Sequence, residues 1–165
     1  MSIYTCAIIT VSDSCYANKR VDTAGPALEE LLNNNGFEIA YKNIVPDDKE
    51  MIQKEVIKCV DENNISLVLT CGGTGFSKRD ITPETVQELF DRNAPGFAEA
   101  MRYESFKITP KAVLSRACSG LRKESIIITL PGSKKAAIEN ISAILNALKH
   151  GIDMVKSSGS VGCGD

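Results

Sequence analysis

Leu67-Val68-Leu69-Thr70-Cys71-Gly72-Gly73-Thr74-Gly75-Phe76-Ser77-Lys78-Arg79-Asp80-Ile81-Thr82-Pro83-Glu84 is a short apolar strand that runs into a glycine-rich turn and out again into a helix. The helix is expected to begin at Thr82-Pro83, with proline at its first position, where the missing N–H is no loss. Glycines at 72, 73 and 75 lack a Cβ and accept φ > 0, so successive N–H groups can converge on an anion. Lys78 and Arg79 bring positive charge to that turn, and Asp80 brings a hard oxygen ligand suited to Mg²⁺. Gly72, Gly73, Thr74 and Gly75 are therefore candidate phosphate-binding residues, and Asp80 is a candidate metal ligand. Two plainer readings stand beside this one. Glycine turns between strand and helix are common in α/β proteins without any ligand, and Arg79 and Asp80 can form a local ion pair. The stretch matches neither G-x-x-x-x-G-K-[ST] nor G-x-G-x-x-G, so neither of those phosphate loops decides the matter.

Outward from this segment, strand and helix patterns alternate. Tyr4 to Val11 is a continuous apolar and β-branched run, as a buried central strand requires. Ser12-Asp13 ends it. Ala24, Ala27, Leu28, Leu31 and Leu32 repeat at helical spacing and stop at Asn35-Gly36. Phe37 to Val45 reads as a second strand, and Asp47-Asp48-Lys49-Glu50 as a helix start with Asp47 as the cap. After the glycine turn, a helix is expected over Phe97–Phe106. Two strand-like pieces follow, Ala112–Cys118 and Ser125–Leu130, as a hairpin around Gly120-Leu-Arg122-Lys-Glu. Pro131-Gly132-Ser133 then leads into a last amphipathic helix that ends or bends at His150-Gly151. This order predicts an α/β fold, a three-layer α/β/α sandwich with a mostly parallel sheet and a small β-hairpin. One domain is expected over residues 1–155, with a flexible Gly/Ser-rich tail at 156–165. In such sheets ligands gather at the carboxyl ends of strands. That geometry sends Ser12-Asp13, Gly72–Asp80, Ser115-Arg116 and Leu130–Lys135 toward one region.

Composition narrows the function classes. The chain has 165 residues, 43% of them apolar, which suits a packed domain needing no staples. Its net charge of −2 argues against a surface built for nucleic acid or anionic lipid. No run has the length of a membrane span, and Met1-Ser-Ile-Tyr passes straight into a strand without a signal peptide, so a cytoplasmic protein is expected. Six cysteines without C-x-x-C, and a single histidine, point to reduced thiols rather than a zinc site. Cys71, directly before the glycine turn, reads either as a small side chain beside that turn or as a reactive thiol, for which no histidine is near in sequence and only His150 could approach in space.

With these loops in hand, the chain resembles the MogA/MoaB molybdopterin-binding family, which includes molybdopterin adenylyltransferases and the gephyrin G domain. The likeness runs from about Tyr4 to Gly151. Its pieces are Thr10-Val11-Ser12-Asp13, Asp22-x-x-Gly25-Pro26, Val45-Pro46-Asp47-Asp48, and Gly72-Gly73-Thr74-Gly75-x-x-x-Arg79-Asp80-x-Thr82-Pro83-Glu84. Pro95-Gly96-Phe97, Leu114-Ser115-Arg116-x-x-x-Gly120 and Leu130-Pro131-Gly132-Ser133 complete it. Each piece is weak alone; their order and spacing are specific.

The resemblance implies transfer of AMP from ATP to the terminal phosphate of molybdopterin, with Mg²⁺, release of pyrophosphate, and a homotrimer. It also implies a downstream molybdenum-insertion protein as partner. Asp80 and Asp47 are then the catalytic, metal-holding carboxylates, although Asp47 as a helix cap is an equal and compatible reading. Ser12 and Asp13 would lie at the pterin or phosphate edge. Ser115 offers a hydroxyl. Arg116 offers either a fork for an anion or a partner for a buried carboxylate. Pro131, Gly132 and Ser133 would form a helix N-terminus facing phosphate. Ser133-Lys134-Lys135 departs from the proline found here in many relatives, which leaves the pocket's shape open. A non-catalytic molybdopterin carrier is the alternative function.

Overall fold

The structure, a computed structural model, describes residues 4–157. The chain runs β1 (Tyr4–Val11), α1 (Asp13–Tyr16), α2 (Ala24–Asn34), β2 (Phe37–Val45), α3 (Lys49–Ile57), β3 (Leu67–Cys71) and α4 (Thr82–Gln87). It continues through β4 (Arg92–Asn93), α5 (Gly96–Ile108), β5 (Ser119–Arg122), β6 (Ser125–Leu130) and α6 (Lys134–Lys156). One six-stranded sheet forms, in the order β2-β1-β3-β6-β5-β4. β2, β1, β3 and β6 are parallel, while β5 and β4 add antiparallel strands at one edge. This is the expected mostly parallel α/β sheet with its hairpin.

Strand pleat divides the apolar side chains between two faces. Cys6, Ile8, Leu67, Leu69, Ile126 and Ile128 pack against α2, α5 and α6. Ala7, Ile9, Val68 and Ile127 pack against α3 and Val86 of α4. Helices cover both faces, so the loops at the strand ends are free to build a site. Chain order reverses direction between β1 and β3, which is where such sheets open a crevice. Among the described residues no helix is long and apolar enough to cross a membrane.

Four local expectations change. Ala112–Cys118 is not a strand: Pro110–Leu114 form a 3₁₀ turn, with the Thr109 hydroxyl accepting from Lys111 N–H and Ser115 N–H donating to Ala112 O. Pro110, with its fixed φ, opens that turn, and Val113 and Leu114 stay exposed, so their apolar character never described a sheet face. The helix expected at Phe97–Phe106 runs Gly96–Ile108. The cap of α3 is Asp48, whose carboxylate accepts from Met51 N–H at 2.9 Å, not Asp47. Gly151 neither stops nor ends α6, which continues to Lys156. It is glycine for packing: a Cβ there would stand 3.2 Å from the Ile126 side chain. Most of the expected tail, residues 158–165, lies outside the described residues.

Candidate active site

Two cavities open at the carboxyl ends of the strands and share the wall formed by Gly73, Asp80 and Gly132. The larger, about 470 Å³, lies between the 3₁₀ turn, α5 and the start of α6. Leu114, Ala112, Ala136 and Pro131 make it largely apolar, and Thr74, Gly75 and Ser115 line it too. The smaller, about 200 Å³, is polar: Ser12, Arg20, Asp22, Thr23 and Asp47 line it beside Gly72. Its size falls below the roughly 300–1,000 Å³ of sites that enclose a drug-sized ligand, whereas the larger cavity is within that range. The smaller one suits a fragment such as a phosphate group; the larger suits an organic ring.

The glycine turn is held open from several sides. Gly72 adopts φ 119° and Gly73 φ 67°. A Cβ on Gly72 would collide with the Val11 carbonyl, and one on Gly73 with the Thr82 hydroxyl, 2.9 Å from an Asp47 oxygen. Gly72 N–H donates to Leu130 O, and Thr82 N–H to Gly73 O, tying the turn to β6 and α4. Among the described residues the N–H groups of Gly73, Thr74 and Gly75 donate to no protein acceptor. Thr82 Oγ1, buried beneath Gly73, has no partner. Unpaired polar groups collected on one turn are what an anion or a hydrated cation would satisfy.

Asp47 and Asp80 both line the smaller cavity. Asp47 is half-buried, and its carboxyl pKa is raised, chiefly by desolvation and further by the negative charges of Asp13 and Asp80. Asp80 accepts from Ser77 N–H at 2.9 Å through one oxygen. Asp13 lines neither cavity; it braces Asp47. Asp13 N–H donates to Asp47 Oδ2 at 3.2 Å, and Asp47 N–H donates to Asp13 Oδ1 at 2.9 Å. Arg79 then clasps Asp13 with two bonds of 2.9–3.0 Å, and this pairing holds the Asp13 pKa below the usual carboxylate range. The ion pair at this turn is therefore Arg79 with Asp13, not Arg79 with Asp80.

Arg116 takes the second of its two anticipated roles. Its guanidinium donates to Gly75 O at 2.7 Å, to Asp80 O at 2.5 Å and to the Glu84 carboxylate. Its own N–H holds Thr74 O. Such a fork fixes the loop from 74 to 80, with a bond from each of the three guanidinium nitrogens already made to protein oxygens. Ser115 faces the larger cavity, and Ser12 the smaller, where its hydroxyl also caps α1. Pro131 and Gly132 line the cleft, whereas Ser133 caps α6 by accepting from Ala136 N–H at 3.2 Å. Cys71 is no nucleophile: desolvation pushes its thiol up to about 12, and Sγ donates to Pro131 O. His150 lies about 25 Å along α6 from Ser133 at 1.5 Å per residue, so it cannot serve that thiol.

Residues 7–150 match the family described as a probable molybdopterin binding domain. The chain belongs to this family. A molybdopterin adenylyltransferase of Helicobacter pylori is 38% identical over 151 residues, covering 90% of this chain and 85% of that protein. The molybdenum cofactor synthesis protein cinnamon of Drosophila melanogaster is 36% identical over 156 residues. That match takes in 94% of this chain but only 26% of the fly protein, so this chain spans about a quarter of that relative's length. The crystal structure of the molybdopterin biosynthesis enzyme MoaB from Thermus thermophilus has a TM-score of 0.89 at 42% identity, covering 93% of this chain and 96% of that one.

Within this molybdopterin-binding domain, several cleft residues carry no functional signal in the sequence. Asp22 stands out there only as part of a motif; its carboxylate accepts from the Thr10 hydroxyl at 2.7 Å and from Gly25 N–H at 3.0 Å, fixing the start of α2. Arg20 belongs to a polar loop without a pattern, and Thr82 reads as a helix start at the end of a motif, with no sign of its unpartnered hydroxyl. Asn140 and Ser105, buried at the larger cavity and bonded to each other at 2.9 Å, sit among core positions of their helices. Helical spacing places residue 140 on the buried side beside Ala137 and Ile141, and a buried amide there is the available signal.

Proposed function

We propose that this chain is a molybdopterin adenylyltransferase of molybdenum cofactor biosynthesis, moving AMP from ATP to the molybdopterin phosphate. The observation that carries this reading is the pair of unlike cavities meeting at Gly73, Asp80 and Gly132. An oxygen of the molybdopterin phosphate attacks the α-phosphorus of ATP. The bond from that phosphorus to the bridging oxygen breaks, and pyrophosphate leaves with its electron pair. Little covalent work falls to the protein, so rate comes from positioning and charge stabilisation. We assign the pterin to the larger cavity and the polyphosphate to the smaller. The N–H groups of Gly73, Thr74 and Gly75 then hold phosphate oxygens at the junction, and Arg116 keeps that loop in shape.

Mg²⁺ fits the donors on hand. Among the described residues no group of three or more His, Cys, Asp or Glu side chains is arranged for a metal. A protein cage is thus absent, but Mg²⁺ is commonly held by one or two carboxylates with phosphate and water completing its shell. Asp47 and Asp80 supply those two, both in the wall of the smaller cavity, and the Asp47 pKa is raised chiefly by desolvation and further by the charges of Asp13 and Asp80. When bound, the ion would offset charge on the phosphates during transfer. The resemblance adds a cytoplasmic homotrimer that hands its product to a molybdenum-insertion protein. Exposed Tyr103, Phe106, Ile108 and Val113 on α5 and the following turn support an assembled state, which light scattering would test.

The decisive assay mixes protein, ATP, molybdopterin and Mg²⁺ and follows pyrophosphate. Wild type is expected to release it, and Asp80→Asn to lose about 10²-fold or more with an unchanged circular dichroism spectrum. Full activity in Asp80→Asn would remove the metal role. Tight pterin binding by wild type without pyrophosphate release would establish the carrier alternative.

A further inference from the structure

The smaller cavity has three carboxylates in its wall, Asp22, Asp47 and Asp80, and a single cation, Arg20. Among the described residues the Arg20 side chain has no hydrogen-bond or ion-pair partner, although it shares the cavity with those carboxylates. Both oxygens of Asp22 are already engaged, by Thr10 and Gly25. The other arginines of the cleft are committed as well: Arg79 to Asp13, Arg116 to Gly75, Asp80 and Glu84, and Arg102 to Ala117 O.

The backbone that carries Arg20 is pinned. Lys19 N–H and Arg20 N–H both donate to Ser14 O, at 2.9 and 3.2 Å, and Asn18, at φ 56°, donates to Cys15 O. Two residues later the chain is clamped again through Asp22. Arg20 is itself exposed, but its pinned backbone starts the stem at the rim of the polar cavity, within whose wall the uncommitted guanidinium lies. The chemistry also calls for it. One divalent ion does not offset Asp47, Asp80 and a polyphosphate together, and the departing pyrophosphate gains charge as its bond breaks. A guanidinium fork matches two phosphate oxygens at once.

We propose that Arg20 is a catalytic residue that grips the nucleotide's polyphosphate and steadies the pyrophosphate as it leaves. This rests on the adenylyltransferase reading, and the test separates the two. Calorimetric titration of the full chain with tripolyphosphate and Mg²⁺ is expected to give saturable binding. Arg20→Ala weakens it about ten- to hundredfold, the range for a lost charged hydrogen-bond pair, and Arg20→Lys recovers part. Lys19→Ala removes the same charge from the neighbouring position outside the cavity wall and leaves binding unchanged. In transfer assays Arg20→Ala lowers kcat/KM for ATP by a similar factor with the KM for molybdopterin unmoved. Binding of tripolyphosphate through Arg20 without any AMP transfer would sink the adenylyltransferase reading and keep the Arg20 site. Wild-type affinity in Arg20→Ala, an equal loss in Lys19→Ala, or no tripolyphosphate binding by wild type would overturn the Arg20 role.

Discussion

The two ends of the sheet are built on opposite terms. At the amino end, Arg122 reaches from the β5–β6 hairpin to Asp61, just before β3, with two bonds of 2.8–3.0 Å, and a third donor holds Leu89 O. Lys123 adds a second cation to the same carboxylate. Ser125 hydroxyl donates to Ile65 O, closing the start of β6. At the carboxyl end, glycines sit at positive φ, Thr82 Oγ1 lacks a partner and Asp47 faces two other carboxylates. Stability is concentrated where nothing reacts, and local rules are broken where a ligand would repair them.

The largest effect that tests this contrast is Gly72→Ala. Its Cβ would meet a backbone oxygen that cannot step aside, at a φ that alanine resists, so a loss of about 3 kcal/mol or more is expected in urea unfolding. A loss under about 1 kcal/mol would mean that the turn is not strained as described.

Asp61→Asn should come next, at about 1–3 kcal/mol, with transfer activity intact. Both partners of this ion pair are only 21–22% exposed, whereas Asp13 and Arg79 are 46% and 65% exposed, so the amino-end pair carries more weight per bond. Arg122 foremost, with Lys123 behind it, holds the Asp61 pKa below the usual carboxylate range against the opposing effect of burial. Its stabilisation is therefore complete above that range and vanishes as pH falls through the lowered value. Thermal melts of wild type and variant should converge in acid. A gap that persists there would assign the loss to packing instead.

How far the sequence disclosed all this depends on the range of each interaction. The strands and the glycine turn were legible because apolar runs and missing Cβ atoms are local properties. Ser12, Gly72–Gly75, Asp80, Ser115, Pro131 and Gly132 do reach the two cavities, as strand-end loops of a parallel sheet must. Arg116 left two readings open because its partners lie 32 to 41 residues away, and no spacing rule says which it meets. Likewise, Arg79 beside Asp80 suggested a neighbouring pair, but the sheet delivers Asp13 from 66 residues upstream. The cap of α3 was expected at Asp47 and falls one residue on, since only backbone angles, extended at Asp48, decide which carboxylate points back at the helix.

Asp47 gives the smallest shift and the sharpest sign. Unlike Asp61, its pKa in the folded chain is raised, first by desolvation and then by Asp13 and Asp80. The native state holds that proton more tightly than the unfolded chain, so this group lowers stability as pH rises through the ordinary carboxylate range and up to the raised value. Asn at 47 keeps an oxygen to accept Asp13 N–H but carries no charge. Asp47→Asn is thus expected to be more stable than wild type at neutral pH, by about 0.5 kcal/mol after allowance for solvent screening at a half-buried group, and equal to it in acid. The same variant should lose Mg²⁺-dependent transfer. A destabilised Asp47→Asn at pH 7 would show that the carboxylate is a structural brace like Asp61, and the contrast between the two ends would fail at the residue chosen to expose it.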